Sequence, residues 1–209
     1  DKDDKYWDYN SSECERLGIP YGTYLYSGAD TTAKAKSEAE HVVRLLQGKN
    51  LTYPIYYDME ADMLNQLSST QIGNIAKTFL NTMESYGYKN VAVYSNKYLF
   101  ETKLTASVFS DYPKWIAQHS NKCTYQGSYH MWQYSTQGVI PGISEKVDLN
   151  YKIGNWTYAG YSSAKKTVVV KPKATTIKSL RKSGKKAVKI TYKKVSGVSG
   201  YQIYMSTKK

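Results

Sequence analysis

The pattern that most constrains the fold is a repeated alternation of strand-like and helix-like segments over the first 155 residues. The segment YGTYLYS (21–27) has period-two alternation and predicts a strand. Residues 31–50 follow with apolar side chains at helical spacing, and YPIYYDME (53–60) predicts the next strand. Strands that alternate with helices form a parallel sheet with the helices packed outside it, either open or closed into a barrel.

The same alternation continues further along the chain. Residues 68–87 predict a helix that Ser68 or Ser69 caps and that Gly87 closes. Its apolar side chains fall on one face: Ile72, Ile75, Ala76, Phe79, Leu80 and Met83. The remaining segments predict a short helix at 96–104 and strands at 90–95, 114–118, 129–134 and 146–150. The predicted fold class of this part is therefore α/β.

The composition changes near Tyr161. From there to the end the chain holds 14 of its 29 Lys and Arg and no Asp or Glu, so the rest carries 15 basic and 17 acidic residues. Such a stretch attracts a polyanion, which could be nucleic acid, an anionic membrane or an anionic cell wall, or it is a solvated face without a partner.

The basic stretch also predicts a second fold. KKAVKITYKKV (185–195) and GYQIYMS (200–206) alternate with period two on either side of a turn-like SGVSG. This pattern predicts an all-β module, and because a seven-strand sandwich needs roughly 100 residues, the module is expected to be incomplete. We expect an α/β domain at 1–157, a linker at 158–172 and the partial β module at 173–209.

Several classes of protein lack support in the sequence. No apolar run approaches the roughly 18 residues that cross a bilayer, and neither a phosphate-binding loop nor a G-x-S-x-G motif occurs. Cys14 and Cys123 are far apart, show no metal spacing and are expected to be unpaired. His41, His119 and His130 form no nucleophile or metal pattern and are interpreted as structural. No metal or organic cofactor is expected.

Carboxylates at the end of a predicted strand are the main functional signal. In YPIYYDME, Tyr56, Asp58 and Glu60 share one face because side chains two residues apart in a strand point the same way. Ile55 and its period-two partners Tyr57 and Met59 point the other way, towards the predicted helices. The carboxyl ends of parallel strands form the functional face of α/β folds, and the carboxylates fall at that end.

Other candidate residues lie on the remaining strands. Asp148 lies late in the last strand and offers a third carboxylate. The aromatic candidates for contact with a substrate are Tyr26, Tyr56, Tyr94, Trp115, Trp132 and Tyr134. Carboxylates and aromatic rings suit a glycosidase, which needs an acid to protonate the leaving oxygen and a second group to stabilise positive charge at the anomeric carbon. Taken alone, an Asp-x-Glu pair is more often a solvated strand end, and a Trp is more often core.

Several motifs together resemble glycoside hydrolase family 25, the lysozymes that cut peptidoglycan. The matching pieces are GIPYGTYLYS, YPIYYDME, GYKNVAVYSN, KWIAQ, YHMWQYSTQGVIPGI and VDLN, in family order over roughly residues 1–155. The resemblance implies a flattened (β/α) TIM-like barrel. It also implies a muramidase that cleaves the β-1,4 bond between N-acetylmuramic acid and N-acetylglucosamine.

The resemblance also implies roles for the acids. Glu60 would be the general acid/base, and Asp58 would orient or stabilise the N-acetyl group of the substrate. Asp148 of VDLN would be a further active-site carboxylate. The expected partner is the peptidoglycan glycan strand, met by a secreted or wall-associated bacterial protein that is a monomer.

The sequence departs from the family at one point. Family members begin with a strand whose Asp joins the active site, whereas this sequence opens with DKDDKYWDYN, so we expect the first one or two strands to be absent from it. The basic stretch resembles the first half of a fibronectin type III-like module.

Two other functions stay open: a wall-carbohydrate binder that no longer cuts, and a nucleic-acid binder suggested only by the basic charge.

Overall fold

The computed structural model of the protein describes residues 3–154, 175–183 and 188–195. The chain divides into two compact units, Asp1–Lys165 and Lys166–Lys209. The predicted linker, 158–172, lies outside the described residues, so the predicted domain boundaries stay predictions.

A six-stranded sheet forms the centre of the first unit. Its strands are β1 (Thr23–Tyr26), β2 (Ile55–Asp58), β3 (Val91–Asn96), β4 (Lys114–Ala117), β5 (Met131–Gly138) and β6 (Val147–Lys152). Their order in the sheet is their order in the chain, and β1 to β5 are parallel. Among the described residues β1 has one neighbour, β2. The expectation of further strands before β1 stays a prediction.

The last strand corrects the prediction of a wholly parallel sheet, because β6 pairs with β5 in the antiparallel direction. The reason is the length of the connection. Only residues 139–146 separate the two strands, and a parallel crossover needs a dozen residues or more. The antiparallel turn brings the start of β6, with Asp148, beside the carboxyl end of β5.

Helices connect the strands. They are α1 (Trp7–Leu17), α2 (Thr32–Leu45), a 3-10 helix (Asp62–Gln66), α3 (Ser69–Ser85), α4 (Lys97–Thr102) and α5 (Val108–Asp111). Ser68 caps α3 through a reciprocal capping box with Gln71, which confirms Ser68 over Ser69 as the cap. The whole predicted apolar face of α3, from Ile72 to Met83, is buried.

The two faces of the sheet differ in composition. The face turned towards the helices is apolar: Ile55, Tyr57 and Met59 join the main core, and the Tyr57 ring stacks on Phe79 at 3.9 Å. The other face carries a small separate cluster: Tyr56, Ala92, Tyr94 and Ala117, with Trp115 and Met131 packed against it. The predicted division of YPIYYDME between two faces is therefore confirmed.

The described part of the second unit is a hairpin. Strands β7 (Ile177–Lys182) and β8 (Val188–Tyr192) pair in the antiparallel direction. The predicted strand at 200–206 lies outside the described residues. The fibronectin type III-like module therefore stays a prediction.

Candidate active site

The register of the sheet aligns one acid with three aromatic residues. Tyr26 on β1 is opposite Asp58 on β2, Asp58 is opposite Tyr94 on β3, and Tyr94 is opposite Trp115 on β4. Directly opposed residues share a face of the sheet, here the face away from the main core. The four side chains, which the sequence predicted to act together, are therefore neighbours.

Asp58 is a buried acid in this row. Its side chain is 4% exposed, and its Oδ1 atom has no hydrogen-bond partner. Burial, followed by the nearby charge of Glu60, raises the pKa of Asp58 to about 8. A native protein seldom buries an unpaired carboxyl oxygen, so this group is a strong candidate for function.

Glu60 lies two residues beyond the last residue of β2 and is half-buried. Burial raises the pKa of Glu60, the charge of Asp148 raises it further, and His119 lowers it. Asp58 and Glu60 thus form a pair in which both carboxyls hold protons more tightly than usual. A group of this kind can supply a proton near neutral pH.

Asp148 is held at the far side of the same face. It lies on β6, and its Oδ2 atom accepts a hydrogen bond of 2.9 Å from Nε2 of Gln133. Its effect on the pKa of Glu60 brings it into the electrostatic neighbourhood of that acid. All three predicted carboxylates therefore lie at the same end of the sheet, and their roles stay predictions.

Aromatic rings form the floor of the site. Trp115 lies edge-on to Tyr56 at 5.0 Å and to Tyr94 at 4.6 Å between ring centroids. Its Nε1 atom donates a hydrogen bond of 2.8 Å to Asn150 Oδ1 on β6. Tyr56 is buried, and its hydroxyl is 2.9 Å from His130 Nε2. These contacts hold the rings in place and leave limited ring surface for a ligand.

Two exposed tyrosines form the rim on β1. Tyr24 and Tyr26 are 63% and 56% exposed and alternate with the half-buried Thr23 and Leu25. Burial and the charges of Asp58 and Glu60 raise the pKa of both hydroxyls. Tyr26 was predicted as a binding residue, whereas Tyr24 was not, although it has the same parity in the strand.

The structure does not bring Trp132 and Tyr134 to the acids. Trp132 is opposite Tyr151 on β6, and its two neighbours in sequence, Met131 and Gln133, point to the acid face. The rings of Trp132, Tyr134 and Tyr151 contact one another, with Tyr134 stacked on Tyr151 at 4.4 Å. These aromatics form a cluster on the opposite face of the sheet.

Sequence reasoning missed two polar residues of the site. Gln133 on β5 is 4% exposed and contacts Asp148, Tyr94 and His119. His119, interpreted as structural, follows β4 by two residues and influences Glu60. No local signal in the sequence identifies Gln133, because the face that it occupies follows from the pairing of β5 with β6.

The described residues lack features of several other site classes. No cluster of three or more His, Cys, Asp or Glu in 3–154, 175–183 or 188–195 could hold a metal ion. Over the same residues, no helix has the length and apolar character to cross a membrane. Cys14 and Cys123 are free thiols, as predicted.

Comparison with known proteins identifies the family. The profile described as "Glycosyl hydrolases family 25" matches residues 1–143. The chain belongs to this family. Family 25 membership agrees with the sequence resemblance and with a sheet that places acids at its carboxyl end.

Curated relatives of this family 25 chain match the same region. An "Autolytic lysozyme" of Clostridium acetobutylicum is 29% identical over 137 residues, which is 65% of this chain and 40% of that protein. The uncharacterized protein YegX of Escherichia coli K12 is 24% identical over 149 residues, 70% of this chain and 53% of that protein. The chain thus spans about half of the length of the curated relatives it matches, or less.

Solved structures share the fold. The modular autolysin LytC of Streptococcus pneumoniae superimposes with a TM-score of 0.66 and 33% identity, over 71% of this chain and 37% of that one. LytC in complex with a synthetic peptidoglycan ligand gives a TM-score of 0.65 and 32% identity, over 71% and 37% of the two chains. The spore cortex lytic enzyme SleM of Clostridium perfringens, at 22% identity, gives 0.64 over 72% and 55% and shows the fold alone.

Proposed function

We propose that the protein is a peptidoglycan hydrolase, a muramidase that cleaves the β-1,4 bond between N-acetylmuramic acid and N-acetylglucosamine. The observation that carries the proposal is the acid pair at the carboxyl end of β2: Asp58, buried with an unpartnered oxygen, and the half-buried Glu60 two residues later. Family 25 membership and a relative named autolytic lysozyme support this substrate class. A binder without activity would gain nothing from burying Asp58 in this way.

We assign the proton-donor role to Glu60. It is more accessible than Asp58, and its raised pKa keeps part of the population protonated at higher pH than an ordinary glutamate. Protonation of the glycosidic oxygen by Glu60 would make the sugar a better leaving group, and the same group could then act as the base that activates water. No metal or organic cofactor takes part in this scheme.

Asp58 and Asp148 act on the charge that develops in the sugar. Asp58 would orient the N-acetyl group of the substrate, whose oxygen acts as an internal nucleophile in this scheme with net retention. Asp148 is more exposed than Asp58, and its charge raises the pKa of Glu60. A positive charge at the anomeric carbon would be stabilised by either carboxylate once it is ionised.

Sugar rings would bind at the rim. Tyr24 and Tyr26 are exposed beside the acids and can stack on the apolar faces of sugars, while Tyr56, Tyr94 and Trp115 support them from below. Contact of Trp132 and Tyr134 with the glycan stays a prediction. Because both rings lie on the opposite face of the sheet, they would contact a part of the glycan that is away from the acids. We also propose that the protein works outside the cell or at the wall.

Glu60→Gln tests the proposal. Release of reducing ends from purified peptidoglycan should fall by about 10²- to 10⁴-fold, the usual effect of losing a positioned acid. Glu101→Gln is a matched control, because Glu101 pairs with Lys97 on α4 and belongs to no part of the site. Near-normal activity of Glu60→Gln would contradict the assignment, and absence of activity in the unsubstituted protein would contradict the function.

A further inference from the structure

The side chain of Gln133 makes hydrogen bonds to residues from three other parts of the sheet. Its Oε1 atom accepts hydrogen bonds from the Tyr94 hydroxyl at 3.0 Å and from His119 Nε2 at 2.9 Å, and its Nε2 atom donates to Asp148 Oδ2 at 2.9 Å. The side chain is buried, so these bonds are shielded from water. One amide therefore links side chains from β3, the end of β4 and β6.

The orientation of this amide depends on Asp148. An ionised carboxylate only accepts hydrogen bonds, so it requires the NH₂ group of Gln133 on its side. The amide oxygen is then turned towards Tyr94 and His119, and both must donate to it. An inverted amide would set its oxygen against the carboxylate of Asp148, where neither group can donate.

The tautomer of His119 follows from this orientation. When Asp148 is ionised, the Nε2 atom of His119 must carry a proton to bond with Gln133 Oε1. The titratable groups around the ring are Glu60 beyond the end of β2, Tyr94 on β3 and, through Gln133, Asp148 on β6. With Nε2 as the donor, Nδ1 is the unprotonated nitrogen of the neutral ring.

We propose that Gln133 is a positioning residue that links Asp148 to His119 and so fixes the orientation of both side chains. The inference deepens the proposed function and rests on it, since Glu60 is taken as the proton donor. The electrostatics agree, because Asp148 raises the pKa of Glu60 while His119 lowers it. Replacing the amide would remove the hydrogen bonds that hold the side chains of Asp148 and His119.

A measurement on the unsubstituted full chain tests the geometry without any activity. Nitrogen-15 spectra of the histidine rings, recorded above the pH at which His119 loses its charge, should show His119 with its proton on Nε2. A ring that carries its proton mainly on Nδ1 would overturn the proposal. This result is independent of whether the protein cuts peptidoglycan.

Gln133→Glu tests the coupling. A carboxylate in place of the amide would stabilise the charged ring, so the titration midpoint of His119 should move to higher pH by about 1. Gln137→Glu is the matched control, since Gln137 is an exposed residue of the same strand and the added charge is the same. An equal midpoint in Gln133→Glu and Gln137→Glu would overturn the coupling.

Kinetics then test the effect on the reaction. Gln133→Met keeps a similar volume and removes all three bonds, so kcat on purified peptidoglycan should fall about tenfold to a hundredfold, the scale of a lost bond to a charged group, with KM changed far less. If Gln133→Met folds and keeps full kcat, the positioning role is wrong. If the unsubstituted protein is inactive, the proposed function fails, whereas the two ring measurements still decide the coupling.

Discussion

The protonation state of the Asp58 carboxyl affects both the proposed activity and the stability of the fold. The group is 4% exposed, one of its oxygens lacks a partner, and burial raises its pKa to about 8. At neutral pH most of the population therefore keeps the proton, and ionisation would place a charge among Tyr56, Tyr94 and Trp115. A residue held in so unfavourable a state is expected to reduce stability in return for function.

Asp58→Asn should lower turnover much more than substrate binding. Asparagine keeps the shape of the side chain but cannot ionise, so it removes stabilisation of charge that develops only in the transition state. We expect kcat on peptidoglycan to fall at least about a hundredfold with KM changed less than about threefold. A change confined to KM would make Asp58 a binding residue and would contradict its assigned role.

The same substitution should change how stability depends on pH. Because the folded-state pKa of Asp58 lies above its ordinary value of 3.8, this group stabilises the fold below about pH 4 and loses that contribution as pH rises through about 8. Asp58→Asn should therefore gain unfolding free energy over the unsubstituted protein as pH rises from 4 to 8, by about 5 kcal/mol in all at about 1.4 kcal/mol per pH unit. Urea unfolding at both pH values measures the difference. A gain that is equal at the two pH values would show that Asp58 has an ordinary pKa.

At the scale of elements, the packing of α3 depends on the absence of one side chain. A Cβ atom at Gly73 would lie 2.5 Å from the Cβ of Ala106, in the segment between α4 and α5. Gly to Ala in a helix ordinarily stabilises by about 1 kcal/mol. Here the neighbouring Cβ cannot rotate away, so the steric term should be the larger one.

Gly73→Ala should therefore destabilise the first unit by about 1–3 kcal/mol, as overpacking of a filled core does. The double variant with Ala106→Gly should recover most of that loss, because it removes the opposing atom. Asn74→Ala, on the exposed side of the same helix, serves as the control and should have little effect. Thermal unfolding measures all three, and a single variant Gly73→Ala at least as stable as the parent would contradict the argument.

The elements differ in how far the sequence predicts them. The buried face of α3 and its Ser68 cap are local features, set by spacing of three and four residues and by a reciprocal bond with Gln71, and both were predicted. The acids on β2 were predicted because period two and position in a strand suffice. The direction of β6 was predicted wrongly, since nothing within VDLN distinguishes a parallel from an antiparallel neighbour.

Within the site, the missed residues depend on contacts between distant parts of the chain. Gln133 and Tyr94 are 39 residues apart, and only the assembled sheet brings them together. Trp132 and Tyr134 lie late in the predicted strand 129–134 but in the first half of β5, and position along a strand does not tell which face they occupy. Their face follows from the pairing of Trp132 with Tyr151, which the sequence alone does not reveal.

At the scale of the whole molecule, charge is divided along the chain. The residues before Tyr161 are close to neutral, whereas those after Gly160 include 14 Lys and Arg and no acid. In the hairpin of β7 and β8, Lys178, Arg181, Lys182 and Lys189 are all exposed. Bacterial walls carry phosphate and carboxylate groups, so we expect this hairpin to hold the protein near the wall without taking part in the chemistry.

Neutralising those four cations in the full chain, each to Gln, tests the expectation. Such attraction between exposed charges is screened over about 8 Å at physiological ionic strength, so retention on purified walls should fall at low salt and match the parent at high salt. The control changes four exposed lysines of the first unit to Gln, which alters the net charge by the same amount: Lys77, Lys89, Lys122 and Lys146. A larger loss of retention in the hairpin variant than in the control would assign wall attraction to the hairpin. Equal retention of both variants and the parent at low salt would leave the basic stretch without a role in wall binding.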